Sequence, residues 1–228
     1  MISASLKSRL ISIIILLPIV VFAMVEGNWI FKIVIGIVLG IAIKEWFEMT
    51  RHTKKFALHG IPGAALLCIS FLAFVLIRTG FDQGIYYILV LLFGVWSSDS
   101  AAYFAGKFFG GAKMAPTISP NKTWAGFIGG MAGSVAMLIF ANEAAPYLLS
   151  LVNFKLIPMT TMTYAFVIGV FFTIFGQLGD LAISAYKRKA GVKDTGTLIP
   201  GHGGVLDRID SFLIVAPFFL ITLMLLAP

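Results

Sequence analysis

Residues 162–188 read MTYAFVIGVFFTIFGQLGDLAISAYKR, a stretch with no charge before Asp180 and a basic end at Lys187-Arg188. An apolar run of this length is long enough to cross a hydrocarbon core of roughly 30 Å as a helix, and here it continues past the membrane with its register intact. Working outward, similar runs lie near Leu10–Gly27, Trp29–Phe47, Ile61–Ile77, Gly84–Phe104, Trp124–Ala141 and Ile209–Ala227, with Met162–Leu181 as the sixth of seven. The 228 residues are 59% apolar and 12% charged, with a mean hydropathy of +0.98, which excludes a water-soluble domain of ordinary composition. The reading is an all-α, polytopic membrane bundle forming one integral domain over 1–228. It has about seven spans, or eight if a hairpin lies within Phe154–Tyr186.

Charge sets the orientation. Of the 17 Lys and Arg, only Arg78 and Lys155 fall on the outer set of loops, and Lys32 lies just inside the outer end of the second span. The rest, from Lys7 and Arg9 to Arg208, fall on one side, which by the positive-inside rule is the cytoplasm and places the N-terminus there. The first run follows Lys7 and Arg9 as a signal peptide would, but no small-x-small cleavage site follows it, so it is read as a retained span. The net charge of +7 does not indicate nucleic acid, because the cations flank apolar runs and 14% of the residues are aromatic. Cys68 is the single cysteine, so neither a disulfide framework nor a cysteine-based zinc site is available.

The polar residues concentrate in the C-terminal half. On the sixth helix Gln177, Asp180, Ser184 and Lys187 fall within about 80° of one another, a polar stripe that must face protein, water or a ligand. Gln and Ser suit an interhelical seam, whereas an acid at membrane depth is costly and points to function. The loop that follows, Lys193 to Asp210, holds Gly196, Gly201, Gly203 and Gly204 between Lys193 and Arg208, a composition suited to a polyphosphate. A reverse turn between helices uses the same residues, and the Gly-Lys-Ser/Thr ending of a P-loop is absent. Asp207 and Asp210, three apart, project from nearly one side. If Asp180 converges on them, three carboxylates require a cation, and hard oxygen donors beside phosphates select Mg²⁺. His202 could be a ligand, a phosphate contact or a surface residue.

Asp99 is a second acid at membrane depth, read equally as a partner for another span or as an organiser of substrate or metal. Ser119, Lys122 and Thr123 at the start of the fifth span could bind a phosphate with the free helix N–H groups, although Lys122 and Trp124 also suit interfacial anchoring. Arg51-His52-Thr53-Lys54-Lys55 reads as a juxtamembrane cluster meeting anionic lipid.

The pattern Ser184-x-x-Lys187-Arg188-x4-Lys193-Asp194-x-Gly196-x3-Pro200-Gly201-His202-Gly203-Gly204-x2-Asp207-Arg208-x-Asp210 closely resembles the C-terminal signature of the phosphatidate cytidylyltransferase (CDP-diacylglycerol synthase) family. The Asp99 region, Ser119–Gly126 and Gln177-x-x-Asp180 are similar to further family segments, so the resemblance spans roughly Trp96 to Ser211, within a catalytic portion taken as 96–228 behind N-terminal spans 1–95. Asn121 and Ala125 stand where family members often have Lys and Glu, and no catalytic role is carried onto them.

The resemblance implies transfer of CMP from CTP to phosphatidate, giving CDP-diacylglycerol and pyrophosphate for phospholipid synthesis, with Mg²⁺ and room for a second cation. It implies metal ligation by Asp180, Asp207 and Asp210, and phosphate-holding or supporting roles for Lys187, Arg188, Lys193, Asp194, His202 and Arg208. Substrate contacts would come from Asp99, Ser119, Lys122, Thr123, Ser184, Gly201, Gly203 and Gly204. Membrane lipids are the surroundings, a homodimer is compatible with it, and the site faces the cytoplasm from the inner or plasma membrane. Two rival classes remain: a CTP-dependent lipid kinase, which releases CDP, and an ion or phosphate transporter. The featureless outer halves of the spans disfavour the transporter.

Overall fold

A computed structural model describes residues 14, 18–51, 56–144, 146–147, 161–199 and 203–226. Gly201 and His202 lie outside the described residues, as do Lys7, Arg9 and Lys155. Residues 18–26 are helical, and Gly27, at φ 72°, turns the chain into α1 (Asn28–Thr50). Then come α2 (Phe56–Thr79), α3 (Gly84–Phe109), a hairpin of β1 (Lys113–Ala115) and β2 (Ser119–Thr123), and α4 (Trp124–Ile139). A π-helical turn over Phe140–Ala144 prolongs α4, and α5 (Met162–Lys189), the short α6 (Leu206–Ile209) and α7 (Phe212–Leu226) complete the described chain.

The molecule is a polytopic membrane helical bundle. His59–Thr79, Gly84–Phe109, Trp124–Ala144 and Met162–Lys189 are each long and apolar enough to cross a bilayer, while Phe212–Leu226 is apolar but shorter. Two features depart from the sequence reading. The all-α expectation omits the antiparallel β1–β2 hairpin, in which Lys113 pairs with Thr123 and Ala115 with Ser119. Those strands are short and polar, so no alternation of apolar residues announces them. The last span was expected to begin at Ile209, but the helix breaks at Asp210-Ser211 and restarts at Phe212.

Two apolar clusters hold the bundle. One joins Ala73 and Ile77 of α2, Tyr87 to Val95 of α3, Ile168 and Phe172 of α5, and Val215 to Leu223 of α7. The other joins Ala42, Trp46 and Met49 of α1, Leu67 and Phe71 of α2, Ile183 of α5, Leu206 of α6 and Leu213 of α7. The second cluster lies beneath the Gly-rich loop and attaches the N-terminal helices to it. Trp46 is fixed within it by its indole N–H, which donates to the Gly60 carbonyl at 2.9 Å. Buried hydroxyls stitch further helices together, Ser98 to Thr173 at 2.8 Å and Tyr86 to the Ala141 carbonyl at 2.7 Å.

The α3–α4 seam depends on small residues. A Cβ on Gly129 would lie 2.3 Å from the Ala105 Cβ, and one on Gly133 would lie 2.5 Å from the Ala101 Cβ and 2.7 Å from the Ser97 carbonyl oxygen. In lipid, where burial of apolar surface gives helices no preference for each other, this close approach supplies the packing attraction. Gly133→Ala should therefore destabilise by about 1–3 kcal/mol through overpacking. Gly36→Ala on α1, with nothing within 4 Å of the added carbon, should be neutral or stabilising by the usual helix preference of Ala over Gly. Thermal unfolding in detergent checks the contrast; equal midpoints for the two variants would contradict it.

Candidate active site

The C-terminal ends of α1, α3 and α5, the β-hairpin, and residues 190–199 and 203–211 gather at one end of the bundle. A cavity of about 490 Å³ opens there, lined by α3 (Asp99, Tyr103, Lys107), the hairpin and start of α4 (Ser119, Lys122, Thr123), and α5 (Gln177, Asp180). Lys122 bridges its walls: Nζ donates to Gln177 Oε1 at 2.6 Å and ion-pairs with Asp180. The other Asp180 oxygen accepts from Ser184 Oγ at 3.1 Å. Asp99 accepts from the Ser211 hydroxyl and is close enough to Asp180 and Lys122 to feel both charges. Asp180 likewise repels Asp210, whose Oδ1 accepts the Ser211 N–H at 2.9 Å. Gly179 permits the approach of α5 to this turn, because a Cβ there would lie 2.4 Å from the Asp210 carbonyl oxygen.

A second centre lies beside the first. Lys187 Nζ meets Asp207 Oδ1 at 2.7 Å, with both side chains almost sealed from solvent. Asp207 Oδ2 accepts the Thr195 N–H at 2.8 Å, the Gly204 N–H at 3.1 Å and the Thr195 hydroxyl at 3.1 Å. Burial works to raise the Asp207 pKa, but the Lys187 hydrogen bond and the two backbone donors outweigh it and hold the carboxyl below its ordinary value.

Glu45, which the sequence reading passed over, completes this centre. It is 4% exposed, and it accepts the Val205 N–H at Oε1 (2.9 Å) and the Leu206 N–H at Oε2 (2.9 Å). Thr195 Oγ1 also lies 3.1 Å from Glu45 Oε2, so one hydroxyl proton is shared between Glu45 and Asp207. The signal that could have found Glu45 is the rule applied to Asp99 and Asp180: an acid within a largely apolar helix needs partners.

The anions that Gly196, Gly203 and Gly204 approach belong to the protein itself, where the sequence suggests a bound polyphosphate. A Cβ on Gly196 would lie 2.8 Å from Glu45 Oε1, and one on Gly204 would lie 2.3 Å from Thr195 Oγ1 and 2.6 Å from Glu45 Oε2. Gly203 combines a φ of 88° with an approach of 3.0 Å to Asp207 Oδ2.

The remaining expected residues are placed as follows. Thr123 Oγ1 caps α4 by accepting the Gly126 N–H at 3.0 Å. Ser119 lies on β2 in the cavity wall. Arg188 donates from Nε to the Ile118 carbonyl at 3.2 Å, tying the hairpin to the end of α5. Lys193, Asp194 and Arg208 are exposed around the loop. Among the described residues, no three His, Cys, Asp or Glu side chains form a ready metal-binding group; Asp207 faces Lys187 and the loop amides.

A membrane helical bundle that gathers acids, cations and a cavity at one end defines a class: an enzyme working on charged groups. A model of the cytidylyltransferase family matches residues 53–226, and the chain belongs to that family. It is similar to the phosphatidate cytidylyltransferase of Bacillus subtilis (strain 168), 38% identical over 201 residues, covering 86% of this chain and 70% of the relative. It is likewise 35% identical over 212 residues to that of Rickettsia felis, covering 92% and 88%, and 36% identical over 220 residues to that of Staphylococcus haemolyticus, covering 95% and 77%.

The depressed Asp207 pKa fixes the sign of a pH effect. In the unfolded chain the carboxyl titrates near its ordinary value of about 3.9, so its stabilisation is complete at neutral pH. That contribution falls as the pH drops through about 4 and is gone below the folded-state value. The gap in unfolding midpoint between the native chain and Asp207→Asn should narrow from pH about 7 to about 3; a gap independent of pH would contradict the pairing.

Proposed function

We propose that this chain transfers the cytidylyl group of CTP to phosphatidate, yielding CDP-diacylglycerol and pyrophosphate. The observation that carries the reading is the cavity where Lys122, Gln177, Asp180 and Asp99 meet at the bundle's end, within the segment that matches the cytidylyltransferase family. A phosphatidate oxygen, already anionic, attacks the α-phosphorus of CTP; the bond to the bridging oxygen breaks and pyrophosphate leaves with the electron pair. No side-chain nucleophile is needed, so the protein's work is alignment and charge neutralisation.

The division of labour follows the two centres. Lys122, with Ser119 beside it, receives the lipid phosphate in the cavity. The loop around Asp207, with Lys187, Lys193 and Arg208, receives the triphosphate. Arg188 keeps the hairpin and the loop in register. Asp99, Asp180 and Asp210 feel one another's charge, and their hard carboxylate oxygens are the donor type that Mg²⁺ takes, although they are not drawn together into a ready site. These acids would hold the ion, with Asp180 and Asp210 as principal ligands, and Mg²⁺ when bound supplies charge neutralisation at the phosphates. Asp207, with its oxygens facing Lys187, Thr195 and Gly204, serves the loop that adjoins the metal. Lys122 balances Asp180 and yields to the incoming groups.

The cation distribution supports a cytoplasmic site, a cytoplasmic N-terminus and about seven spans in the bacterial inner or plasma membrane. A homodimer remains compatible with this arrangement.

The test is turnover by purified protein in mixed micelles with phosphatidate, Mg²⁺ and CTP labelled in turn at the α- and γ-phosphorus. The α-label should enter lipid with equimolar pyrophosphate, and Asp180→Asn should lower turnover by roughly 10²-fold or more. Passage of the γ-label into lipid with release of CDP would mark a kinase and overturn the reading.

A further inference from the structure

Glu45 lies on α1, before residues 53–226 that match the family model, yet its carboxylate is buried against the loop assigned to the nucleotide. It accepts three hydrogen bonds with two oxygens: the N–H groups of Val205 and Leu206 and the Thr195 hydroxyl. Through Thr195 it is joined to Asp207, and through Asp207 to Lys187. The helix that carries Glu45 is anchored by Trp46, which is 2% exposed within the cluster that also holds Leu206. The path from α1 to the Lys187 ammonium is thus continuous and almost entirely buried.

Resting on the proposed transferase reading, we infer that Glu45 is a positioning residue for the nucleotide: it holds Thr195, Val205, Leu206 and the Asp207–Lys187 pair in the geometry that receives the triphosphate. A plain fold staple would not need a charge. Burying a carboxylate is costly, and an apolar residue would avoid that cost only by leaving the Val205 and Leu206 N–H groups without this acceptor. What a carboxylate alone provides is acceptance of every donor the loop presents. The amide of Gln offers one oxygen and one NH₂, so in either orientation a donor faces a donor. The effect is selective because the hydrogen bonds of Glu45 go to the loop, whereas Lys122 in the cavity is held by Gln177 and Asp180.

The experiment compares the native full chain with Glu45→Gln and Thr195→Val, the latter removing the hydroxyl that joins the two carboxylates. KM for CTP, KM for phosphatidate and kcat are measured in mixed micelles, with the unfolding midpoint recorded alongside. The expected result is a rise of tenfold or more in KM for CTP in both variants, with KM for phosphatidate within twofold of native. An unchanged KM for CTP in active variants overturns the inference. So does a loss confined to kcat that tracks the folded fraction, which is what a structural staple gives. If Glu45→Gln does not fold, Thr195→Val decides alone by the same two readouts. A native chain that makes no CDP-diacylglycerol sinks the transferase reading itself, and the inference falls with it.

Discussion

Two buried carboxylates, Glu45 and Asp207, are the constraint on which the end of this bundle depends. Neither tolerates burial without donors: the segment between α5 and α7 supplies the N–H groups of Thr195, Gly204, Val205 and Leu206 and the Thr195 hydroxyl, and the end of α5 supplies the Lys187 ammonium. A loop in contact with a membrane-embedded bundle has few other ways to satisfy its backbone. The carboxylates act as a template, and glycine is required where the chain wraps most closely around them, at Gly196, Gly203 and Gly204.

This template places the chemistry. Because α5 carries both Asp180 and Lys187, fixing Lys187 on Asp207 also fixes where Asp180 faces the cavity. The break at Asp210-Ser211 follows from the same geometry: Ser211 donates from its backbone to Asp210 and from its hydroxyl to Asp99, linking the start of α7 to the acid on α3. A straight helix from Ile209 onward would lose these contacts. On the far side, the small-residue seam lets α3 and α4 approach closely enough for Lys122 to reach across to α5.

Much of this was legible in the sequence. Among the described residues the apolar runs located the helices, with α3, α4 and α5 starting at the expected Gly84, Trp124 and Met162, while α3 and α5 run on past their expected ends to Phe109 and Lys189; the polar stripe Gln177, Asp180, Ser184 and Lys187 does engage partners along its whole length. The partners themselves were not legible. That Lys122 meets Asp180 and that Lys187 meets Asp207 depends on helix rotation and depth, which periodicity does not specify. The hairpin escaped because its strands are polar and short. Glu45 escaped because it lies near the inner end of its span, beside Lys44, where a charge needs no buried partner to explain it. The loop glycines were recognised as anion-facing, but the sequence could not say that the nearest anions would be Glu45 and Asp207.

Backbone amide exchange at Thr195, Gly204, Val205 and Leu206, in detergent and without substrates, tests this template most directly. In the native chain all four amides should exchange slowly; in Asp207→Asn, Thr195 and Gly204 should become fast while Val205 and Leu206, held by Glu45, stay protected. Fast exchange at all four in the native chain would contradict the claim that two carboxylates build the loop before any nucleotide arrives.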